Sequence, residues 1–446
     1  MGAWQCSLCQ SWYPKEASCT CGEKGEITYD RKKHQFVVST RPHIVLRLKR
    51  WFGGLGHRSR ERIRISAIPE TARELQVFTQ LFPMRLCPEL VSMAQRHVES
   101  VAAVEELLSA RRAPPEFDLA IPLREYQRVA TAIALETGCL LCADEVGLGK
   151  TAAAIGLFTD PKTLPALVVT LTHLPTQWER EINRFAPRLK THILKGTTPY
   201  ALSDRPIGDD GQLRLVADPM PDVIITSYSK LSGWAATLAP VIRSVVFDEC
   251  QELRRAGVRG IASQGAERSL KYAAAEALSE GCCVRMGLSA TPVYNYGSEM
   301  FNVMHVLKPG ALGSWSEFDQ EWCGWGDKHP VKNPKALGSY LRDAGLMLRR
   351  TRKDVGRELP ALTKVPHHIS ADTTILDRAA GAAIELAKVV LAQTEANKGD
   401  RMLAAGQLDI KLRQATGIAK APCVAAFVRM LVESGEKVLL YGWHRE

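Results

Sequence analysis

Two short stretches of the chain hold the residue types that phosphate chemistry needs. The first is Asp144-Glu145-Val146-Gly147-Leu148-Gly149-Lys150-Thr151, which follows the apolar run 139–143 and precedes a helical pattern. Gly147 and Gly149 permit a tight turn whose N–H groups point inward, and the N-terminus of the next helix adds positive potential. Lys150 would reach the outer phosphates, the Thr151 hydroxyl would coordinate Mg2+, and Leu148 would complete the cradle. The usual phosphate-loop pattern has glycine where this chain has Asp144, so the loop by itself leaves open a glycine-rich turn without function. The second stretch, Asp248-Glu249, ends the apolar run 244–248 about a hundred residues later. Asp248 can hold Mg2+ and Glu249 can polarise an attacking water, as phosphoryl transfer requires. Solvated acids also end many strands, but the order of loop and acids favours a nucleotide site that takes ATP and Mg2+.

Smaller signals flank these. In "PLREYQ", Gln127 could hydrogen-bond an adenine edge, or be an ordinary surface glutamine. In "GLSATPVYN", Ser289 and Thr291 could link the nucleotide site to a second ligand, or simply form a polar turn before Pro292.

Positioning such residues calls for a sheet. Apolar runs at 139–143, 166–170, 222–226, 244–248 and 283–289 alternate with helical segments such as "PTQWEREINRF" and "AERSLKYAAAEAL". That alternation predicts an α/β fold, a doubly wound parallel sheet with helices on both faces and ligands at the strands' carboxyl ends. Residues 195–221 read as a surface excursion, and helical patterns dominate from about 296 to 435 before "KVLLYGW" at 437–443 reads as a further buried strand. Upstream, prolines at 114, 115 and 122 mark a linker. Before it, "QFVVST" and "HIVLRLKRWF" show strand-like alternation, and "ELVSMAQRHVESVAAVEELLSARR" reads as a long helix.

The 446 residues, 46% hydrophobic and 24% charged, suit about three folded domains. No uncharged apolar run approaches the roughly 18 residues of a membrane span, and no leader is apparent, so a cytoplasmic or nucleoid location, or a nuclear one, is the default expectation. Net charge is +10, and residues 31–64 hold eleven Lys or Arg against the single acid Glu61. A polyanion such as DNA is the natural partner of that segment, with Arg47, Lys49 and Arg50 as candidate contacts; a solvated basic face is the alternative. Cys6, Cys9, Cys19 and Cys21 crowd the N-terminus and could supply four thiolates to Zn2+, although free thiols in a tail would show the same spacing. The "WQCSLC" phrase also resembles the Ran-binding-protein type of finger.

Taken together, "PLREYQ", "DEVGLGKT", "ALVVTLTHLPTQWEREINRFAP", "DVIITSYSKL", "VVFDECQELRR", "GLSATPVYN", "EMFNVMHVLKPGALGSWSEFDQEW" and "LMLRRTRKDVGRELP" resemble the ordered motifs of Swi/Snf-type ATPases in helicase superfamily two. In that family Asp at the first loop position is usual. The resemblance covers about residues 120–446. It implies a RecA-like lobe and an ATPase that is stimulated by duplex or branched DNA and translocates along it. It also implies nucleotide contacts at Gln127, Asp144, Gly147, Leu148, Gly149, Lys150 and Thr151, and catalytic roles for Lys150, Asp248 and Glu249. Ser289 and Thr291 would couple DNA to ATP. The acidic motif departs from the family's commoner Asp-Glu-Ala-His at Cys250 and Gln251, which leaves coupling open while sparing the acids. Residues 25–112 resemble, in a few phrases, the accessory domain of annealing-helicase relatives.

The expected organisation is therefore a zinc-binding knuckle at 1–24, a basic α+β accessory domain at 25–112, and a RecA-like lobe at 113–360 with a helical protrusion at about 296–350. A connector and the first strand of a second lobe occupy 361–446, as in the N-terminal part of a longer protein or one completed by a partner. Two other functions fit the same residues: a strand-separating DNA or RNA helicase, and a DNA-binding module that uses ATP only as a ligand.

Overall fold

Apolar runs with no polar face can be buried only if helices cover both sides of their sheet. The computed structural model describes residues 3–6, 10–14, 24–52, 62–202, 220–255, 269–291, 296–324, 329–357, 365–368, 374, 377, 381, 384, 387–388 and 398–442. It divides into two units, Met1–Glu358 and Leu359–Glu446.

The central strands of the first unit are β7 (Cys139–Cys142), β8 (Ala166–Thr170), β9 (Thr191–Ile193), β10 (Val223–Ser227), β11 (Ser244–Asp248), β12 (Val284–Leu288) and β13 (Met347–Leu348). They form one seven-stranded sheet in the order β13-β7-β12-β11-β8-β10-β9. Every neighbouring pair is parallel. Alternate residues of each strand enter opposite cores, as a period of two requires. Leu140, Val168, Ile225 and Val246 pack with α4 (Glu125–Thr137), α5 (Lys150–Leu157) and α6 (Pro175–Phe185). Leu141, Val169, Ile224 and Phe247 pack with α7 (Leu231–Leu238), α8 (Leu270–Glu280) and α9 (Gly297–Leu307).

All five expected strands are present within one residue of their predicted ends. The two additions, β9 and β13, are edge strands of two or three residues, too short to show a period. Residues 296–350, expected as a helical protrusion, hold α9, α10 (Trp315–Trp322) and α11 (Pro334–Asp343), which bury Met304, Phe318 and Leu341 in the same core as Phe247, after which β13 returns to the sheet beside β7.

The N-terminal region has its own six-stranded sheet. Its strands are β1 (Ala3–Cys6), β2 (Trp12–Pro14), β3 (Gly25–Asp30), β4 (Gln35–Thr40), β5 (Arg62–Ser66) and β6 (Arg85–Leu86), in the order β2-β1-β6-β3-β4-β5. Helices α1 (Pro42–Trp51), α2 (Pro69–Leu81) and α3 (Pro88–Leu108) bury Ile44, Leu48, Leu75, Phe78 and Leu90 in one core with Phe36, Val38 and Ile63.

Two expectations need correction here. "HIVLRLKRWF" is not a strand but α1: Pro42 opens the helix, and Ile44, Val45 and Leu48 are buried at helical spacing. The alternation of basic and aliphatic residues mimicked a period of two. The N-terminal knuckle is not a separate module either, because β1 pairs with β6 through Gln5↔Leu86 and Cys6↔Arg85. Cys6 is buried, whereas Cys9, Cys19 and Cys21 lie outside the described residues.

In the second unit, α12 (Lys398–Glu433) is the long element, with Pro422 inside it. Over 437–442, the described residues of the strand expected at 437–443, the chain is irregular, and Leu439, Leu440 and Tyr441 are exposed. A strand needs a neighbour for its backbone groups, and none pairs with this run among the described residues. The membrane expectation also changes in one respect. By length and composition an 18-residue window within Ala405–Glu433, with mean hydropathy 1.4 and at most two charged residues, could cross a bilayer. The whole span carries Asp409, Lys411, Arg413, Lys420, Arg429 and Glu433, however, and each Asp, Lys or Arg at a bilayer centre costs about 2.5–3.5 kcal/mol.

Candidate nucleotide site

In the first unit, the carboxyl ends of β7, β12 and β11 stand level. Cys142 pairs with Leu288, and Leu288 with Asp248. The head of the phosphate loop and the acids are thus two strand spacings apart, roughly 10 Å. Between them, the Ser289 N–H donates to the Cys142 carbonyl at 3.1 Å, and the Ser289 hydroxyl accepts from the Thr291 N–H at 3.1 Å.

The loop turns as its glycines allow. Gly147 and Gly149 have φ of 88° and 76°, and Lys150 begins α5. A Cβ on Gly149 would stand 2.4 Å from Gln127 Nε2 and displace that amide, and the left-handed φ itself favours glycine. Lys150 Nζ donates to the Asp144 carbonyl at 2.8 Å. Thr151 is half-buried in the first turn of α5.

Gln127 does not present its amide outward as an adenine reader would. Its Oε1 accepts from the Arg124 N–H at 3.0 Å, and its Nε2 donates to the Leu148 carbonyl at 2.9 Å. Asp144, too, faces the protein. Its Oδ1 accepts from the Arg350 N–H and Nε at 3.0 Å each, and its Oδ2 accepts from Arg350 Nη2 at 2.5 Å. The acid that breaks the usual glycine pattern is therefore one half of a buried ion pair, in which Asp144 is only 3% exposed.

At the end of β11, Asp248 Oδ2 accepts from the Trp178 indole at 2.8 Å and from the Thr170 hydroxyl at 3.0 Å. Burial raises its pKa, and those two donors hold the rise back. Both side-chain donors fall on Oδ2, and the Glu249 backbone N–H also donates to the carboxylate. Glu249 follows in the left-handed conformation, φ 50° and ψ 52°, which is uncommon for a residue with a side chain and is often found at functional sites. Its Oε2 accepts from Gln251 Nε2 at 2.6 Å. Cys250 is buried beside Gly287, and burial raises its thiol pKa.

These groups fit a Mg2+-nucleotide: a glycine turn with a lysine at a helix N-terminus, and a carboxylate at the same carboxyl end of the sheet. Zn2+ has no such support. Among the described residues no group of three or more His, Cys, Asp or Glu could hold a metal. Arg47 and Arg50 are exposed and Lys49 half-buried on α1, in the N-terminal domain. Sequence reasoning missed Thr170, Trp178, Arg350 and Arg352. All four sit inside the quoted motif blocks, where no local pattern marks them out.

The fold and site define a P-loop α/β nucleotide-binding lobe. Residues 93–377 match the SNF2-related domain family, more than half of the chain, and the chain belongs to that family as a Swi/Snf-type ATPase of helicase superfamily two. It is 28% identical over 251 residues to the chromatin-remodeling ATPase INO80 of Sclerotinia sclerotiorum, which covers 54% of this chain and 14% of that protein. It is 26% identical over 314 residues to the Zorya protein ZorD of Escherichia coli, covering 61% and 27%. Each match thus takes in only a small part of the longer relative. Among solved structures, the Sulfolobus solfataricus SWI2/SNF2 ATPase core in complex with dsDNA aligns with 73% of this chain and 68% of its own, at 20% identity and a TM-score of 0.41.

Proposed function

We propose that this chain supplies the phosphate-binding wall of a DNA-stimulated, ATP-hydrolysing translocase that works on duplex or branched DNA. The observation that carries the reading is that the loop bearing Lys150, which follows β7, and Asp248, which ends β11, stand at the level carboxyl ends of one parallel sheet. Lys150 and the N–H groups of residues 147–151 would bind the phosphates. Thr151 and Asp248 would hold Mg2+, which when bound neutralises charge on the phosphates. Glu249, turned by its left-handed backbone, would orient the water that attacks. Arg47, Lys49 and Arg50 on α1, within the basic segment, suit contact with DNA phosphates, and their binding would fall steeply with salt. Such a motor would work where DNA is, in a nucleoid or a nucleus.

The test uses the full-length protein. Lys150→Ala should lower ATP affinity and hydrolysis roughly 10–150-fold, the size of a lost contact to a charged group. Hydrolysis should rise more with duplex than with single-stranded DNA. Unchanged hydrolysis in the lysine variant would sink the ATPase assignment, and greater stimulation by single strands would favour a strand-separating helicase.

A further inference from the structure

The phosphate loop is held from outside by two arginines about two hundred residues downstream. We propose that Arg350 and Arg352 are positioning residues that set how firmly the loop binds nucleotide phosphates. The proposal rests on the reading of residues 144–151 as a nucleotide site.

The geometry begins with the chain that leaves α11. It runs beside β7 and then past the loop itself, accepting from the N–H groups of Leu141, Ala143 and Glu145 through the carbonyls of Leu346, Leu348 and Arg350 at 2.8, 2.6 and 2.9 Å. Arg350 grips Asp144 with its backbone N–H and two guanidinium nitrogens. Its remaining Nη1 donates to the Tyr126 carbonyl at 2.6 Å, and the guanidinium lies over the Tyr126 ring at 5.4 Å. Arg352 donates its N–H to Glu145 Oε2 at 2.7 Å, and its Nε and Nη2 to the Val146 carbonyl at 3.0 and 2.8 Å. Gln127, the neighbour of Tyr126, holds the Leu148 carbonyl.

The consequence follows from the planar peptide. In a trans peptide the C=O of one residue and the N–H of the next point in opposite directions. When Arg352 fixes the Val146 carbonyl on the outer side, the Gly147 N–H must face the other way. When Gln127 fixes the Leu148 carbonyl, the Gly149 N–H does the same. Both glycines have the freedom to turn these peptides over, so something outside the loop has to choose the orientation. Arg350 ties both arrangements to one buried ion pair, since it anchors Asp144 ahead of the loop and the Tyr126 end of α4 beside Gln127. A lysine could not span those acceptors, because the contacts use the guanidinium fork.

The experiment compares wild type with Arg352→Ala, Arg352→Lys and Arg350→Lys in the full chain. It measures hydrogen exchange at the amides of residues 147–149 without nucleotide, and affinity for a fluorescent ATP analogue. Arg352→Ala should speed exchange at Gly147 about tenfold and weaken analogue binding about tenfold, leaving the Mg2+ half-saturation unchanged. Arg352→Lys, which keeps one donor, should recover part of both. Arg350→Lys should extend the faster exchange to Gly149; if it fails to fold, the more exposed Arg352 still decides. Exchange and affinity within twofold of wild type in Arg352→Ala would overturn the proposal, as would faster exchange with unchanged affinity. A wild-type chain that exchanges slowly at Gly147 yet binds no analogue would instead overturn the nucleotide-site reading beneath it.

Discussion

At the end of β7 the phosphate loop is gripped by guanidinium groups, whereas at the end of β11 the carboxylate of Asp248 is held by a hydroxyl and an indole N–H. The contrast follows from what each half would bind. A loop that binds anions through N–H groups benefits from cations on its outer carbonyls, which fix the peptides and add positive potential. A carboxylate meant for a metal cannot have an arginine beside it, because the guanidinium would occupy the oxygen that the metal needs. Thr170 and Trp178 orient Asp248 without competing for it. Asp144, buried just after β7, and Asp248, half-buried at the end of β11, thus have opposite tasks: one is neutralised inside the protein and one is kept available.

The sharpest way to break this comparison is to neutralise each acid in turn. Asp248→Asn should weaken Mg2+-dependent nucleotide binding roughly 10–150-fold, the loss of a charged contact. Its thermal stability should not fall, because burial already works against the charged form. Asp144→Asn should act first on stability, and on nucleotide binding only through the loop that its ion pair anchors. It leaves the Arg350 charge without its partner in a site where that side chain is 16% exposed, which costs about 3–5 kcal/mol of stability. Calorimetry on both variants, with Mg2+ titrations, checks the pair; equal stability losses would erase the distinction.

A smaller effect is expected from Trp178→Phe, which keeps the ring packed and removes only the indole donor. Loss of a partner that orients a metal ligand typically costs 10–100-fold in metal affinity. The Mg2+ half-saturation should rise by roughly that factor, while binding of nucleotide without Mg2+ should stay as in wild type. An unchanged half-saturation would mean that Thr170 alone orients Asp248.

The same contrast explains what could be read in the sequence. The sheet was legible because its strands are uninterrupted apolar runs, and the loop and acids were legible because each is a local pattern. The clamp was not, since Asp144 and Arg350 are 206 residues apart and no spacing rule joins them. Gln127 shows the intermediate case: the sequence offered it to an adenine edge, and the structure turns its amide onto Leu148 and Arg124. In the N-terminal domain the local pattern misled, because in α1 the basic residues fall between aliphatic ones and imitate a strand. The hairpin of β1 and β2 looked separate because its partner, β6, is only two residues long. The run at 437–443 has strand composition but no neighbour among the described residues, and composition by itself cannot supply one.

A weaker charged contact than the Asp144–Arg350 pair lies where the N-terminal domain meets the nucleotide-binding lobe. Lys308, just after α9, pairs at 2.8 Å with Glu70 in the first turn of α2, beside a cavity of about 330 Å³ lined also by His97, Ser100, Glu136 and Thr137. Burial pushes the Glu70 pKa up, but the charge and hydrogen bond of Lys308 outweigh it and leave the pKa below the usual carboxylate value. A carboxylate whose folded pKa is depressed adds stability above its unfolded pKa and loses it as pH falls through the folded one. Lys308→Ala should therefore lower stability at pH 7, and the difference from wild type should close as the pH drops below about 4. Both side chains are partly exposed, at 25% and 37%, so solvent screens the pair. Its worth is about 0–1 kcal/mol, a shift of a few degrees at most in thermal unfolding. Unlike the Asp144 variant, this one should lose its effect in high salt. A loss at pH 7 that persists at pH 3 or in 1 M salt would show that Lys308 acts by packing its methylenes against the seam and not by its charge.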